Sequence, residues 1–408
     1  MHDIVPHPSN LPPPRMNILH VIVSLDPQHG GPPAVANRLA AAQASLGNRV
    51  GILAYADPAA AERVAKSVAP VPDFGAVERH DILPEGGGLA TIRAPRVRAW
   101  LADNLKGWDY LHLHGVWNPI LPISAGAARK LGIPYAVVPH GMLDPWCLTG
   151  QGFAKGLKKK IALAVAYRGM LDRASFLHVL NADEGRLMQP LGLRSPTVVI
   201  ANGVFMSEIS PLPAAGGFRA KHPELGGDPY VLFLSRLHFK KGLDFLADAF
   251  AAILPKHPRL RLVIAGPDDG MVAPLKEQVA RLGVADRVHF VGSVYGPDKL
   301  ASFVDCEVFC LPSRQEGFSM AITEALACRK PVVISDQCHF PEVAETRCGY
   351  VTPVGAEPTA AALDAALSLP AAEAAAMGER GYELVTSRFT WPKIAERTIE
   401  AYRSHASR

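Results

Sequence analysis

Two glutamates eight residues apart, Glu316 and Glu324, flank the junction of this chain that is best suited to chemistry. The apolar residues 308–312 predict a buried strand, and the Ala/Ile/Leu pattern after Gly317 predicts a helix with Ser319 near its N-cap. A strand–loop–helix junction presents free backbone N–H groups and the positive end of the helix dipole to an anionic or hydroxyl-rich ligand. An ionised carboxylate accepts through two oxygens, which match the two O–H donors of a diol. On their own, however, two glutamates at a helix edge are typical of a solvated face.

A basic pair, Arg236 and Lys241, follows the apolar segment 231–234 and precedes Gly242. The guanidinium group can bind phosphate oxygens through two parallel N–H donors, and the lysine ammonium adds a point charge. Together they suit a diphosphate, both when it is bound and when negative charge grows on it as it departs. Either residue alone is typical of a solvated basic loop, but this spacing after a strand favours an anion site.

Short apolar segments that alternate with helical ones must position these residues. The predicted strands are 17–24, 49–55, 110–114, 135–139, 176–180 and 197–200 in the first half, and 230–235, 261–265, 287–291, 308–311 and 331–335 in the second. Continuous apolar strands separated by helices predict parallel sheets covered on both faces, and two such series predict two doubly wound α/β domains. Since ligands bind beyond the carboxyl ends of such strands, the active site is expected in a cleft between the domains.

Composition excludes several classes of protein. The 408 residues contain 42 Lys plus Arg and 38 Asp plus Glu, a balance that argues against a nucleic-acid partner. No segment has 18 consecutive apolar residues, so no transmembrane helix is predicted. The six cysteines form no Cys-x-x-Cys pair, which favours free thiols in a reducing compartment and predicts a cytoplasmic enzyme. The P-loop, dinucleotide-binding and zinc-peptidase motifs are absent from the sequence, so those enzyme classes lose support.

The set formed by Arg236, Lys241-Gly242 and Glu316-x7-Glu324 resembles the retaining GT-B glycosyltransferases of family 4. The resemblance covers essentially the whole chain after Met16. It implies the GT-B fold, in which two doubly wound Rossmann-like domains face each other across a cleft. In that family Arg236 and Lys241 would hold the donor diphosphate. Glu316 would contact the donor sugar, and Glu324 would bind the ribose hydroxyls.

The sequence also predicts a domain organisation, in which the roles of the two domains follow from the resemblance. Residues 1–14 are expected to form a disordered tail, 15–207 an N-terminal acceptor-side domain, and 208–388 a C-terminal domain that binds the nucleotide sugar. The boundary is placed in the Pro/Gly-rich segment 204–228. Residues 389–408 contain an amphipathic helix; the sequence leaves its packing open, with the N-terminal domain as the candidate partner.

Further donor-binding residues are expected at strand ends. The start of the helix after Glu316 would offer its backbone to sugar hydroxyls or phosphate oxygens, at Gly317, Phe318, Ser319 and Met320. Gly266 and Ser293 end two strands and would line the nucleotide-base pocket. In the first domain, Gly31 belongs to a Gly-Gly step that the family also carries near the diphosphate. The two prolines that follow this step depart from the family pattern.

Two His-Gly steps follow strands in the first domain, at His114 and His140. A strand-end histidine in a cleft can hydrogen-bond a hydroxyl or offset charge, whereas the alternative is a satisfied structural histidine. The resemblance places His140, from Pro-His-Gly, beside the donor sugar, and the role of His114 stays open. Aromatic faces suit sugar rings, so an acceptor platform is expected from Trp117, Asp144 and Trp146, with a packed loop as the alternative. His114 is placed on the same acceptor side.

A basic turn leads into an apolar helix between residues 155 and 168. This pattern suits either an anionic membrane surface, contacted through Lys155, Lys158, Lys159 and Lys160, or a buried helix with a solvated basic end. In the first case the enzyme would be peripheral on the inner face of the membrane, and a lipid-linked acceptor would follow.

The sequence therefore predicts a hexosyltransferase that uses a nucleotide-diphosphate sugar, GDP-mannose or a UDP-hexose, and a saccharide or lipid-linked acceptor in cell-surface glycan synthesis. The resemblance implies retention of configuration. No cofactor and no metal are expected, since the chain lacks the Asp-x-Asp motif of metal-dependent glycosyltransferases. The alternatives are a GT-B epimerase or phosphorylase, or a binding subunit without turnover.

Overall fold

The computed structural model describes residues 15–149 and 153–406, and the chain divides into two compact units. The first unit contains the residues up to His178, Leu191–Val198 and the residues from Ala395 onward. The second contains Val179–Pro190 and Val199–Ile394. The predicted tail 1–14 lies outside the described residues. The main division falls at residues 198 and 199, a few residues before the predicted boundary at 207.

A seven-stranded sheet forms the centre of the first unit. Its strands are β1 (Asn17–Ser24), β2 (Arg49–Tyr55), β3 (Glu78–Ile82), β4 (Tyr110–His114), β5 (Tyr135–Val138), β6 (Phe176–Val179) and β7 (Thr197–Val199). They lie in the order β3-β2-β1-β4-β5-β6-β7, and the described pairings are parallel. The helices in the first half of the chain, of which the last belongs to the second unit, are α1 (Gly31–Ser45), α2 (Ala61–Val68), α3 (Gly88–Arg93), α4 (Pro95–Asn104), α5 (Ile120–Lys130), α6 (Pro145–Thr149), α7 (Phe153–Ala162), a π-helical segment (Leu163–Tyr167), α8 (Arg168–Leu171) and α9 (Ala182–Met188).

A six-stranded parallel sheet forms the centre of the second unit. Its strands are β8 (Tyr230–Leu234), β9 (Arg261–Ala265), β10 (Val288–Gly292), β11 (Val308–Leu311), β12 (Val332–Ser335) and β13 (Gly349–Thr352), in the order β10-β9-β8-β11-β12-β13. The remaining helices are α10 (Met206–Ile209), α11 (Gly217–Lys221), α12 (Leu243–Ile253), α13 (Val272–Arg281), α14 (Gly296–Asp305), α15 (Met320–Ala327), α16 (Glu342–Glu345), α17 (Ala356–Leu367), α18 (Ala371–Arg388) and α19 (Trp391–His405).

Both sheets confirm the predicted class of two doubly wound parallel α/β domains. In each sheet the strand order reverses beside the first strand, between β1 and β4 and between β8 and β11. Ligands of such sheets bind at this switch point, beyond the carboxyl ends of the strands. The candidate residues Arg236 and Glu316 follow β8 and β11, so both lie at the switch point of the second sheet.

The predicted strands match the buried strands closely, and the two that were missed, β3 and β13, are edge strands. An edge strand is covered less completely than a central one, so it needs no continuous apolar run. β3 carries four polar residues in five, and β13 is only half-buried along its length.

The C-terminal helix α19 belongs to the first unit from Ala395 onward. Its Tyr402 is fully buried and stacks on Tyr110 of β4, with ring centroids 4.2 Å apart. Among the described residues, no single helix combines the length and apolarity needed to cross a membrane; the sharply bent pair α17 and α18 meets those two criteria jointly.

Candidate active site

The closest association of candidate residues in the second unit is an ion pair between Lys241 and Glu316, whose Nζ and Oε1 atoms lie 2.6 Å apart. The Oγ of Ser313 donates to the same Oε1 atom at 2.7 Å. Side-chain exposure is 14% for Lys241 and 7% for Glu316, so water screens this pair only weakly. The arrangement fixes a carboxylate and an ammonium group side by side at the carboxyl ends of β11 and β8.

A glycine brings the loops that carry these two residues together. Lys241 ends a short 3₁₀ helix (Phe239–Lys241), and Gly242 follows it with a φ of 69°. A β-carbon at Gly242 would clash with the carbonyl oxygen of Pro312, in the loop that leads to Glu316. Only glycine combines this left-handed conformation with so close an approach. The Lys241-Gly242 step therefore reflects the packing of the β8 loop against the β11 loop.

Arg236 lies in the same β8 loop but is far more open to solvent. Its side chain is 66% exposed, and its Nη1 atom lies 2.9 Å from Oδ2 of Asp269. An exposed pair of this kind contributes little to stability, so it leaves the guanidinium group free to change partners. The structure places Arg236 near the carboxyl end of β8 without contact to Glu316.

The second glutamate, Glu324, lies in the second turn of α15 and is paired through Oε1 with the ammonium group of Lys299 at 2.7 Å. Lys299 belongs to α14, and nothing in the sequence pattern indicated that it would meet Glu324. The predicted ribose-binding carboxylate thus carries a cation on one of its oxygens.

The predicted walls of the base pocket also lie at strand ends. Gly266 follows β9 with a φ of 143°, and a β-carbon there would clash with the carbonyl oxygen of Ser235. Ser293 is exposed directly after β10. The sheet order places β10, β9, β8 and β11 side by side. The carboxyl ends of these strands are therefore followed, in that order, by Ser293, Gly266, Arg236 and Glu316.

The residues at the start of α15 differ in what they offer. Gly317 is exposed with open space around its α-carbon, and its carbonyl oxygen accepts from Nδ2 of Asn181 at 2.5 Å. Ser319 occupies the N-cap position as predicted, but its side chain makes no capping bond. Phe318 packs on the rings of Phe340 and Phe389, so its side chain is a packing group. Met320 is the first helical residue and is half-buried.

In the first unit, His140 lies in a tight turn after β5. Its φ is 53° and that of Gly141 is 72°, and the N–H of Met142 closes the turn on the carbonyl oxygen of Pro139 at 3.1 Å. A left-handed conformation at a non-glycine residue costs free energy, which marks this turn as a functional candidate. Burial lowers the pKa of His140 to about 3, so the ring is neutral at physiological pH and can act through hydrogen bonds only.

The assignment of His114 to the acceptor side is corrected by its position inside the core. It is buried at the end of β4, and both ring nitrogens are engaged, Nε2 with His20 at 2.8 Å and Nδ1 with His140 at 3.2 Å. A side chain so enclosed has no nitrogen left for a substrate. Its structural link to His140 is the relevant feature.

The other first-unit candidates are spread over three loops. Gly31 is the first residue of α1, after Gly30 with a φ of 90°. Trp117 is half-buried and meets Tyr167 edge to face, with centroids 5.5 Å apart, which favours the packed-loop interpretation. Asp144 is half-buried in the turn that leads to α6. The side chain of Trp146 lies outside the described residues.

A buried group of histidines escaped the sequence analysis. His20 of β1 and His112 of β4 are register partners, and His114 projects from the same face of β4. The ring nitrogens of these three lie within 4.8 Å of one another, a spacing that could hold a metal ion. Burial lowers the pKa of His20 to about 4 and holds those of His112 and His114 well below their usual range, so all three are neutral. The alternation of His112 and His114 on one strand was the available signal.

Comparison with known proteins matches both halves of the chain to families. Residues 30–203 match the family described as "Glycosyl transferase 4-like domain", and residues 217–384 match "Glycosyl transferases group 1". The chain is 29% identical over 392 residues to the phosphatidyl-myo-inositol mannosyltransferase of Mycobacterium leprae, which covers 93% of this chain and 94% of that protein. It is 31% identical over 233 residues to the GDP-mannose-dependent alpha-(1-6)-phosphatidylinositol monomannoside mannosyltransferase of Mycobacterium tuberculosis, covering 55% of this chain and 60% of that protein.

Solved structures extend the similarity to the fold. Anabaena HepE in complex with UDP matches with a TM-score of 0.73 and 22% identity, over 95% of this chain and 100% of that one. A glycosyltransferase from Rickettsia africae matches with a TM-score of 0.74 and 17% identity, over 96% of this chain and 98% of that one. At these identities the likeness establishes the GT-B fold alone.

Proposed function

Because the chain belongs to the group 1 glycosyltransferases, we propose that it is a retaining, metal-independent hexosyltransferase that moves a mannosyl group from GDP-mannose to a lipid-linked acceptor. The choice of mannose is supported by relatives named as mannosyltransferases, one of them as GDP-mannose-dependent. Membership of this family does not favour an epimerase, a phosphorylase or a subunit without turnover. A UDP-hexose is the competing donor, since HepE has been solved in complex with UDP.

The observation that carries this proposal is the ion pair between Lys241 and Glu316. The ammonium group is held in place before any donor binds, so it can meet a diphosphate without costly reorganisation. Among the described residues, the hydrogen bonds that the Glu316 side chain accepts both go to Oε1. Oε2 can therefore accept a hydroxyl group of the donor sugar, while Lys241 faces the leaving group.

The residues suggest how the transfer proceeds. The bond between the anomeric carbon and the diphosphate oxygen breaks, and the acceptor oxygen bonds to the anomeric carbon on the same face. The acceptor proton passes to the departing phosphate oxygen, so no protein base is needed. Lys241 stabilises the growing negative charge, and the exposed Arg236 can leave Asp269 to add a second cation.

The proposal is tested by supplying the protein with GDP-mannose, UDP-glucose and UDP-galactose in turn, together with a phosphatidylinositol acceptor. We expect transfer from GDP-mannose, an α-linked product by proton NMR, and an unchanged rate in excess EDTA. An inverted product contradicts retention, and a rate abolished by EDTA and restored by a divalent cation contradicts metal independence. Transfer from a UDP-hexose alone contradicts the choice of donor.

A lipid-linked acceptor would require contact with a membrane, and α7 with the π-helical segment after it offers a surface for that contact. Leu157, Ile161 and Val165 follow one another at four-residue intervals and are 49%, 56% and 83% exposed. Lys158 and Lys160 lie exposed beside them. Lys159 instead donates to the carbonyl oxygen of Cys147 at 2.7 Å, and the side chain of Lys155 lies outside the described residues.

An apolar stripe with flanking lysines suits an anionic membrane, and we place the enzyme as a peripheral protein on the inner face of the cytoplasmic membrane. Sedimentation with phosphatidylglycerol vesicles should capture the protein, and Val165→Asp with Lys158→Gln should release it. As a control, Lys66→Gln removes an exposed lysine that pairs with Glu62 on α2 and should leave binding unchanged. Equal binding by all three proteins would contradict the proposed surface.

A further inference from the structure

An unbroken series of hydrogen bonds connects the turn of His140 with the C-terminal helix through the core of the first unit. These residues form an imidazole chain. Its members bond in sequence as His140 Nε2 to His114 Nδ1 (3.2 Å), His114 Nε2 to His20 Nδ1 (2.8 Å), His20 Nε2 to Gln43 Oε1 (2.7 Å), Gln43 Nε2 to Tyr402 Oη (3.2 Å), Tyr402 Oη to His112 Nδ1 (2.6 Å) and His112 Nε2 to His178 Nδ1 (3.3 Å).

The amide group of Gln43 gives this chain a direction, because its oxygen can only accept and its nitrogen can only donate. With Oε1 toward His20, the proton of His20 must lie on Nε2, which leaves Nδ1 as an acceptor. His114 must then donate from Nε2, and its Nδ1 in turn accepts from Nε2–H of His140. Each neutral ring holds one proton, so a single side chain determines three tautomers in succession.

Gln43 also sets the direction of the hydrogen bonds on its other side. Its Nε2 donates to the Tyr402 hydroxyl, which then donates to Nδ1 of His112, and Nε2–H of His112 donates to His178. All six bonds therefore point from His140 toward His178. In a buried, low-dielectric setting, bonds aligned in one direction strengthen one another. Reversing the proton on one ring would require every member of the chain to reverse.

We propose that Gln43, His20 and His114 are positioning residues that hold His140 as its Nε2–H tautomer, so that Nδ1 accepts a hydrogen bond from a hydroxyl group of the sugar. Among the residues whose side chains the structure describes, none hydrogen-bonds to Nδ1 of His140, and the His140 side chain is only partly buried. The contact between Nδ1 and a sugar hydroxyl rests on the proposed function, whereas the assignment of the His140 tautomer does not.

The same ring nitrogens could instead bind a metal ion, because the nitrogens of His20, His112 and His114 lie within 4.8 Å of one another. The hydrogen bonds argue against it. The short contact of 2.8 Å between His20 and His114 pairs a donor with an acceptor, whereas a metal ion would need lone pairs on both nitrogens. A zinc site would therefore break the chain at its centre.

The tautomer is tested by long-range proton–nitrogen NMR of the full chain labelled with ¹⁵N-histidine, with the His140 signals assigned by their loss in His140→Gln. We expect one Nε2–H pattern for His140 in the wild type and a mixture of tautomers in Gln43→Met, which removes the amide. Tyr402→Phe cuts the chain one bond further away and should shift the His140 signals in the same direction. The matched control is Tyr135→Phe, because the buried hydroxyl group of Tyr135 donates to the carbonyl oxygen of Met170 and not to the imidazole chain.

An Nδ1–H pattern in the wild type, or an unchanged His140 pattern in both Gln43→Met and Tyr402→Phe, would overturn the proposal. So would zinc bound near one equivalent per chain with loss of these signals. Loss of one neutral hydrogen bond predicts a rate of sugar transfer lowered about two- to tenfold in Gln43→Met. A shifted tautomer with an unchanged transfer rate would overturn the contact between Nδ1 and the sugar. If no donor supports transfer in the wild type, the proposed function fails while the NMR measurement still decides the tautomer.

Discussion

Acidification from pH 7.5 to pH 5.0 should destabilise the first unit strongly, because its core holds neutral histidines that the unfolded chain would protonate. Burial lowers the pKa of His20 from 6.5 to about 4 and that of His140 to about 3. Between pH 6.5 and pH 4, the unfolded state therefore binds protons that the folded state excludes. Stability must fall as the pH falls through this window.

The magnitude follows from the pKa of the unfolded histidine. At pH 5.0, which is 1.5 units below 6.5, protonation stabilises the unfolded chain by about 2 kcal/mol for each histidine that stays neutral when folded. His20 and His140 together account for about 4 kcal/mol. His112 and His114 add to this in the same direction, since burial also lowers their pKa values. The loss approaches the whole stability of an average domain, about 5–15 kcal/mol.

The assay is urea unfolding followed by tryptophan fluorescence at half-unit steps between pH 5.0 and pH 7.5. The variant His112→Gln is the matched comparison, because it removes one buried imidazole and keeps one donor and one acceptor. Its slope of stability against pH should be smaller than that of the wild type by about one bound proton, or about 1.4 kcal/mol per pH unit. The hydrogen bond to Arg63 lowers the pKa of Asp26 to about 2, so its contribution to stability is constant across this window and is lost only at lower pH. A wild-type stability that is flat across the range, or identical slopes in the two proteins, would refute the reasoning.

Three further predictions concern the second unit. Lys241→Met should lower the transfer rate by about 10²-fold. It should also lower the stability of the protein by about 3–5 kcal/mol, because it leaves the Glu316 carboxylate buried without its ion-pair partner. Initial rates equal to those of the wild type would contradict the assignment of Lys241 to the donor site. Gly242→Ala should lower the melting temperature and the rate together, since a β-carbon there clashes with the facing loop, whereas Gly227→Ala, with open space around it, should change neither. Glu324→Ala should raise the donor dissociation constant, measured by calorimetry, more than it lowers kcat; an unchanged dissociation constant with a reduced kcat would argue against a ribose contact.

Local pattern was sufficient to predict the architecture. Central strands such as β1, β4 and β11 are buried over most or all of their length, because helices cover both faces of the sheet, and their bounds agree with the predicted ones. The same pattern placed Arg236 and Glu316 after neighbouring strands. The apolar pattern did not predict the edge strand β3, because a strand that is covered less completely can carry polar residues.

The contacts that define the two candidate sites came from the tertiary structure alone. Lys241 and Glu316 were both assigned to the donor from their motifs, but their ion pair joins residues 75 positions apart through a loop approach that Gly242 permits. The imidazole chain joins Gln43 to Tyr402 across 359 positions. Such contacts depend on which faces of distant elements pack together. The hydrophobic periodicity of the sequence does not predict that packing. The sequence therefore determined the sheets and the strand ends where ligands bind, while tertiary packing decided which side chains meet there and where the buried protons lie.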